Sequence, residues 1–278
     1  MSVTTRREEN VGYVEIDNPP VNAIGQAVRR GLLDAVRWAE KEMLDRVIVT
    51  GAGRAFAAGA DAKEFDKAPV EPHLPEALNA IDESFVPWVA AINGVALGGG
   101  ADIAMDCRMR IMAPGAQIGL PEVTLGVIPG AGGTQRLPRL VGLEKALDMI
   151  TNGKPLGAQA AFEAGLANDL DEDPVEAAYM VNTEELGCVV PTWELPAPVL
   201  DDTALSDARD RVKTKMAGQS APLRAIDVMQ AGLAVPFHDA LPIERAAFLE
   251  LKTADQSQAL RHIFFAKRAA KPPADLSA

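Results

Sequence analysis

The 278-residue sequence has few of the side chains that bind metals or form disulfides. It contains two cysteines, Cys107 and Cys188, with no Cys-X-X-Cys pair, and three histidines that lie far apart. Metal sites and disulfide frameworks need such residues at close, regular spacings. We therefore expect no bound metal and a reducing compartment, which we take to be the cytoplasm.

Positive charge and long apolar runs are also scarce. Lys and Arg number 27 against 39 Asp and Glu, which gives a formal net charge of −12, and no basic cluster exceeds a pair. A nucleic-acid partner requires a basic surface, so we expect none. No apolar stretch approaches the roughly 20 residues that cross a bilayer, and the charged N-terminal residues lead into an alternating pattern rather than a secretory signal. We expect a soluble protein that does not insert into membranes.

Strand and helix patterns alternate over the first two thirds of the chain. The stretch "VGYVEIDNPP" at 11–20 alternates like a strand and ends at an Asn-Pro-Pro turn signal, and residues 26–41 carry apolar side chains at helical spacing. The stretch "RVIVTGAG" at 46–53 is a short β-branched run that glycines end, which predicts a buried strand, and residues 74–85 return to helical spacing. Residues 87–100, "PWVAAINGVALGGG", predict one further strand that ends in a glycine-rich turn. This recurrence predicts an α/β architecture of stacked layers.

The composition changes near residue 190. The segment "GCVVPTWELPAPVLDD" contains three prolines, and helical periodicity without convincing strands follows it. We predict a core over residues 1–190, a proline-rich linker over residues 191–205 and a helical region over residues 206–278. In that region, the residues from Ile243 onward predict one last helix that ends at the Pro272-Pro273 pair.

Three glycine-containing motifs are the strongest functional signals. They are "GRAFAAGADAKEF" at 53–65, "INGVALGGGADIA" at 92–104 and "LPEVTLGVIPGAGGTQRLPRLVG" at 120–142. None has the glycine spacing of a dinucleotide or phosphate loop. Any one motif alone is more often a tight turn. Together they favour a ligand site, because glycines at strand ends let a ligand approach backbone N–H groups that can form an oxyanion hole.

In order along roughly residues 10–190, these motifs resemble the enoyl-CoA hydratase/isomerase (crotonase) superfamily. "AAGADAKEF" is similar to the family's AGADIKEF segment, and "INGVALGGGADIAMDC" to its NGxALGGGxELAxxCD segment. The third motif is a nearly complete match. The tail "IERAAFLEL…DQSQALRHIFFAKRAAKPP" further resembles the linker helix that follows the N-terminal hydratase/isomerase part of multifunctional fatty-acid β-oxidation enzymes.

The resemblance implies a fold, an assembly and a substrate. The implied fold is an α/β spiral of repeated ββα units with a helical C-terminal region, and the implied assembly is a homotrimer or a dimer of trimers. An acyl-CoA thioester would bind in a cleft, and coenzyme A would be part of the substrate. Neither a metal nor a separate cofactor is implied.

The same resemblance assigns backbone roles to two residues. Ala60 and Gly99 would donate their N–H groups to the thioester oxygen, where the charge of an enolate develops. Each such donor can be worth roughly 3 kcal/mol. Four residues around the first turn would hold coenzyme A: Ala58, Gly59, Asp61 and Lys63.

Two acidic residues would transfer protons. Glu122 matches the family's glutamate in type and context, whereas Asp102 stands where the usual hydratase residue is glutamate. In hydration the pair holds a water, one carboxylate deprotonating it for attack at C3 while the other, protonated, supplies the C2 proton. Aspartate is one methylene shorter, and a misplacement on the order of 1 Å can cost about a hundredfold in rate.

Asp102 therefore has three interpretations. In the first, it is a carboxylate at the helix N-terminus without a role in turnover. In the second, it is the second acid of an enoyl-CoA hydratase. In the third, Glu122 works alone and shuttles a proton between C2 and C4, as in a Δ3,Δ2-enoyl-CoA isomerase.

Two other functions are weighed against the hydratase. A dienoyl-CoA isomerase would carry its partner carboxylate where this sequence has Gly130, so we rank that function lower. A catalytically impaired acyl-CoA-binding scaffold is disfavoured, because Glu122 and both oxyanion segments are present. Enoyl-CoA hydration in fatty-acid β-oxidation, with isomerisation as a companion or a replacement activity, is the prediction.

Overall fold

The computed structural model describes residues 2–61, 64 and 68–270. The strands are β1 (Val3–Glu8), β2 (Val11–Ile16), β3 (Arg46–Gly51), β4 (Ala55–Ala58), β5 (Trp88–Ile92), β6 (Val95–Leu97), β7 (Met109–Met112), β8 (Gln117–Gly119), β9 (Leu156–Gly157) and β10 (Asp169–Leu170). The helices are α1 (Gln26–Lys41), α2 (Leu74–Glu83), α3 (Gly99–Asp106), α4 (Gly133–Val141), α5 (Leu143–Asn152), α6 (Ala158–Glu163), α7 (Pro174–Met180), α8 (Thr183–Cys188), α9 (Asp202–Lys215), α10 (Ala221–Leu233), α11 (Phe237–Thr253) and α12 (Asp255–Ala269). Short 3-10 helices span Glu122–Leu125 and Thr192–Glu194.

The strands form two sheets. The larger sheet has the order β1-β2-β3-β5-β7-β10, and every neighbouring pair is parallel except the β1–β2 hairpin. The smaller sheet has the order β4-β6-β8-β9, in which β4, β6 and β8 are parallel and β9 runs antiparallel to β8. A parallel neighbour requires a crossover connection, and the helices supply it.

From β3 to β8, successive strands alternate between the two sheets. β3 joins the larger sheet and β4 the smaller sheet before α2 follows, and the pairs β5–β6 and β7–β8 repeat this order before α3 and α4. Each turn of the chain therefore adds one strand to each sheet and one helix beside them. The predicted α/β spiral of ββα units, followed by a helical C-terminal region, is confirmed.

Sequence periodicity explains the first elements. The predicted helix over 26–41 is α1, and its buried side chains Val28, Leu32 and Ala35 lie on one stripe at helical spacing. The alternation over 11–16 is β2, in which Val14 and Ile16 are both completely buried. Local pattern and tertiary packing agree in these elements.

A single large hydrophobic cluster fills the interior. It includes side chains of both sheets and of the late helices, among them Leu205 on α9, Ala225 on α10 and Ala247 on α11. A smaller cluster covers the other face of the larger sheet under α7 and α8. The division at residues 190 and 205 stays a prediction.

Two sequence-based elements are wrong in detail. Residues 87–100 form two strands, because Asn93 and Gly94 turn the chain from one sheet to the other. The Asn93 side-chain amide donates to the carbonyls of Gly51 and Gly53 at 2.8 and 2.9 Å. The helix predicted over 74–85 ends at Glu83, and Phe85 remains 64% exposed.

The prediction of one continuous last helix is also wrong, because these residues form two helices, α11 and α12. Ala254 has extended backbone angles, φ −68° and ψ 145°, that separate α11 from α12. The break lets α12 fold back on the Glu122–Leu125 turn, where the Ser257 hydroxyl donates to the Leu125 carbonyl at 2.9 Å. No glycine or proline marks the break, so local sequence does not reveal it. The predicted end at Pro272 lies outside the described residues.

Membrane insertion has no candidate segment in the described ranges. None of their helices combines the length and the apolar character that a bilayer crossing needs.

Candidate active site

The three glycine motifs meet at the ends of three neighbouring parallel strands. In the smaller sheet, Ala58 at the end of β4 pairs with Leu97 at the end of β6, and Leu97 pairs with Gly119 at the end of β8. Residues that follow parallel strands share one edge of the sheet. The first turn at Gly59, the second at Gly98 and the acidic residue Glu122 therefore lie together, although up to 63 positions separate them in the sequence.

A cavity of about 730 Å³ opens at this edge. Every described residue of the predicted site lines it: Ala58, Gly59, Ala60, Asp61, Gly99, Asp102 and Glu122. Lys63, the remaining predicted contact of coenzyme A, lies outside the described residues. The volume is within the range of pockets that hold small organic ligands.

Two backbone N–H groups at the cavity are not used by the neighbouring backbone hydrogen bonds. Gly99 is the first residue of α3, so its N–H has no acceptor within the helix. At Ala60, the bridge to Ile24 uses the Gly59 carbonyl and the Asp61 N–H, at N–O distances of 2.8 and 3.4 Å, and leaves the Ala60 N–H out. Both residues line the cavity, where such donors can stabilise a negative oxygen.

Glu122 begins the 3-10 helix directly after Pro121. Its side chain is half-buried, faces the cavity, and has no hydrogen-bond partner for Oε2 among the described residues. Burial raises the pKa of the Glu122 carboxyl to about 8, against a backbone hydrogen bond that lowers it, and the negative charge of Glu244 adds to the rise. The group can hold a proton near neutral pH.

Gly98 leaves room for this carboxyl. Its φ of +56° is a conformation that residues with a side chain rarely adopt. A Cβ atom at this position would lie 2.9 Å from Glu122 Oε1. The backbone conformation favours glycine here, and a larger residue would displace the Glu122 carboxyl.

Asp102 lies in the first turn of α3 and is 2% exposed. Its Oδ1 atom is buried without a hydrogen-bond partner among the described residues. Burial raises the pKa of this carboxyl well above its usual range, Glu122 and Glu244 add to the rise, and Arg136 opposes it. These surroundings disfavour the charged form, which argues against a carboxylate that only stabilises the helix N-terminus.

Asp102 and Glu122 together can hold and transfer protons. Both carboxyls line one cavity, and each has an oxygen atom without a hydrogen-bond partner among the described residues. Because burial and mutual repulsion disfavour two charges, the pair retains a proton near neutral pH. One carboxylate and one carboxylic acid can then act on the same molecule, as a base and as an acid.

A buried ion cluster supports the wall behind Asp102. The Arg136 guanidinium is completely buried, pairs with Asp82 at 2.5 Å and with Asp106, and donates to the Ala131 carbonyl at 3.0 Å. These partners come from α2, α3 and the turn before α4. The third motif contains Arg136, but its sequence does not identify partners that lie up to 54 positions away.

Two more charged residues near the cavity are not among the residues predicted from the sequence. Arg29 is 7% exposed and pairs with Glu64 at 2.7 Å, which ties α1 to the end of the first motif. Glu244 on α11 is 1% exposed. Each lies on the buried stripe of its helix, Arg29 three positions before Leu32 and Glu244 four positions after Ala240. A charge on an apolar stripe is the signal that could have identified both residues.

Within the described ranges, no cluster of three His, Cys, Asp or Glu side chains could hold a metal ion. The absence of a metal or a separate cofactor in the reaction stays a prediction.

The family model for enoyl-CoA hydratase/isomerase matches residues 6–186. This range contains all three glycine motifs and every predicted site residue.

Curated relatives cover nearly the whole chain. The peroxisomal bifunctional enzyme of Danio rerio is 36% identical over 271 residues, 95% of this chain and 38% of that protein. The human protein of the same name is 35% identical over 285 residues, 97% of this chain and 38% of that protein. The peroxisomal fatty acid beta-oxidation multifunctional protein of Oryza sativa subsp. japonica is 36% identical over 278 residues, 94% of this chain and 38% of that protein. The chain thus spans less than two fifths of the length of these relatives.

Solved structures share the fold along the full chain. Carnitinyl-CoA hydratase from Mycobacterium avium superposes with a TM-score of 0.69 at 28% identity, and the match covers 98% of both chains. Enoyl-CoA hydratase from Bacillus anthracis superposes with a TM-score of 0.58 at 29% identity, again over 98% of both chains.

Proposed function

Because this chain belongs to the enoyl-CoA hydratase/isomerase family, we propose that it adds water across the double bond of 2-enoyl-CoA thioesters. Its predicted resemblance to that superfamily and to multifunctional β-oxidation enzymes is confirmed. One observation carries this proposal: the carboxyls of Asp102 and Glu122, each with an oxygen atom that has no hydrogen-bond partner among the described residues, share a cavity with two backbone N–H groups. Hydration needs that combination.

In the proposed reaction, the N–H groups of Ala60 and Gly99 bind the thioester oxygen and stabilise the enolate that forms when water attacks. The ionised member of the Asp102–Glu122 pair removes a proton from the attacking water, whose oxygen bonds to C3. The protonated member supplies a proton to C2, so the pair ends with the same number of protons. Ala58, Gly59 and Asp61 lie beside the donors, and we propose that they contact coenzyme A.

The biological setting is proposed from the relatives. The relatives from Danio rerio and human are named as peroxisomal bifunctional enzymes, and the relative from Oryza sativa as a peroxisomal fatty acid beta-oxidation protein. The last of these names supports a β-oxidation substrate. The cytoplasmic compartment expected from the composition stays a prediction. We also keep the homotrimer or dimer of trimers as a proposal, and sedimentation of the purified chain tests it.

The alternative is a Δ3,Δ2-enoyl-CoA isomerase in which Glu122 alone carries the proton. In hydration, Asp102 must reach the same water as Glu122. Its short side chain makes this harder, which favours the isomerase. The raised pKa of Asp102 favours hydration, because burial disfavours its charged form and a protonated carboxyl can donate a proton.

The dienoyl-CoA isomerase is disfavoured by packing as well as by sequence. A Cβ atom on Gly130 would lie 2.4 Å from Cγ of Phe248, so this aromatic ring occupies the space that a side chain at position 130 would need. A second carboxyl cannot be placed there without moving α11.

Purified protein with crotonyl-CoA and with a 3-enoyl-CoA tests the proposal. We expect crotonyl-CoA to lose the absorbance of its conjugated double bond as it is hydrated. If crotonyl-CoA is inert while the 3-enoyl-CoA gains that absorbance, the isomerase replaces the hydratase. Measurable acyl-CoA binding without either reaction would instead indicate a scaffold.

A further inference from the structure

Glu244 is a third buried carboxyl near the pair, and it has a full set of partners. Its Oε1 accepts the Gly132 N–H at 2.5 Å, and its Oε2 accepts the N–H and the hydroxyl of Thr134 at 2.7 and 2.5 Å. Burial raises the pKa of Glu244, but every contact is a donor, and these hydrogen bonds lower the pKa and favour the ionised carboxylate. At least 110 positions separate Glu244 from these partners in the sequence. The C-terminal helix α11 thereby holds the turn before α4.

The turn that Glu244 holds contacts the catalytic pair. Gly133 lies between the two residues whose backbone N–H groups bind Glu244. A Cβ atom on Gly133 would lie 2.7 Å from Asp102 Oδ1. The backbone at Gly133 is thus packed against the oxygen atom of Asp102 that has no hydrogen-bond partner in the described part of the chain. Any movement of the turn changes the space available to that carboxyl.

Glu244 also places a negative charge beside the pair. Its charge raises the pKa of Asp102 and of Glu122, in both cases after the larger effect of burial. Arg136 acts in the opposite direction on Asp102, and its own ion-pair partners are Asp82 and Asp106.

We propose that Glu244 is a positioning residue of the active site, which fixes the Gly132–Thr134 turn against Asp102 and keeps a negative charge beside the carboxyl pair. The proposal rests on the proposed hydration. It makes the C-terminal helical region part of the active-site construction, because the carboxylate comes from α11. Glu244 does not line the cavity, so it acts through Asp102 rather than on the substrate.

Variants at positions 244 and 250 test the proposal. Glu244→Gln removes the charge, and Glu244→Asp keeps it on a shorter side chain. Glu250→Gln is the matched control, since Glu250 lies on the same helix but is exposed and pairs with Arg224 at 3.0 Å. The assay is kcat and KM for crotonyl-CoA as a function of pH.

For Glu244→Gln we expect kcat to fall about tenfold or more with KM within about twofold, since the acid is displaced while the CoA contacts remain. We also expect the alkaline decline of kcat to move to lower pH by roughly 0.5 pH unit or more, because loss of the negative charge lowers the pKa of both carboxyls. With Glu244→Asp, the alkaline decline of kcat should return to the wild-type pH. With Glu250→Gln, kcat, KM and the pH profile should match those of the wild type. A Glu244→Gln profile that keeps the wild-type alkaline decline overturns the proposal.

Two measurements keep the test independent of folding defects and of the assigned reaction. If Glu244→Gln does not fold, Thr134→Val removes one donor, and we expect kcat to fall about threefold or more; an unchanged kcat overturns the proposal. Infrared titration of the buried carboxyls needs no turnover, and their deprotonation midpoint should be lower in Glu244→Gln. If the wild-type protein does not hydrate crotonyl-CoA, only the proposed function is refuted. If the deprotonation midpoint is the same in Glu244→Gln as in the wild type, the role of Glu244 is refuted.

Discussion

Replacement of Glu122 by glutamine should abolish catalysis and stabilise the fold at alkaline pH. Burial raises the pKa of this carboxyl from 4.5 to about 8. Between these values the unfolded chain releases the proton while the folded chain keeps it, so the wild type loses stability as pH rises through this window. Glutamine resembles the protonated acid and is free of this loss.

The magnitude follows from the size of the shift. Each pKa unit corresponds to about 1.4 kcal/mol, so the free energy of unfolding should differ by at most roughly 5 kcal/mol above pH 8. The side chain is half-buried and faces the cavity, and water there reduces the cost of the charge. We therefore expect Glu122→Gln to exceed the wild type by about 2 to 5 kcal/mol near pH 9 and to match it near pH 4.5.

Urea unfolding of both proteins at several pH values, together with crotonyl-CoA hydration, measures this trade-off. Glu144→Gln is the matched control, because Glu144 is exposed on α5 and should show no pH-dependent gain. A stability difference that does not grow between about pH 4.5 and pH 8 would refute the claim that the site disfavours this charge. An active Glu122→Gln enzyme would remove Glu122 from the mechanism.

Three further substitutions probe the same site. Asp102→Asn should lower hydration of crotonyl-CoA about a hundredfold or more while binding of acyl-CoA stays within about threefold, and rapid hydration by this variant would return Asp102 to a structural role. Gly98→Ala should lower kcat by about tenfold to a hundredfold, because its Cβ would meet Glu122 at 2.9 Å; steady-state kinetics checks this, and a wild-type kcat would contradict it. Arg136→Met should lower the free energy of unfolding by about 3 to 5 kcal/mol, because it leaves two buried carboxyls without their cation; urea titration measures it, and a loss below about 1 kcal/mol would contradict it.

Much of the site could be predicted because its parts follow strand ends. The glycines at 59 and 98 and the acid at 122 are local signals, and a parallel sheet brings such positions together. Periodicity alone was enough for α1 and β2, where the apolar pattern matches the element.

The missing parts depend on contacts that no local pattern encodes. Glu244 meets Thr134 across 110 positions, and the break at Ala254 serves the packing of α12 on Leu125 rather than any helix-ending residue. The two-strand character of residues 87–100 arises from a turn that joins two sheets, which apolar composition does not reveal. Such features require tertiary structure.

The most direct test of the proposed hydration is the fate of crotonyl-CoA in water labelled with a heavy oxygen isotope. The account predicts that the wild-type protein converts it to a 3-hydroxyacyl-CoA, whose mass shows one labelled oxygen at C3, and that Glu122→Gln forms none. Crotonyl-CoA recovered unchanged, from a preparation that converts a 3-enoyl-CoA to the 2-enoyl isomer, would contradict the account.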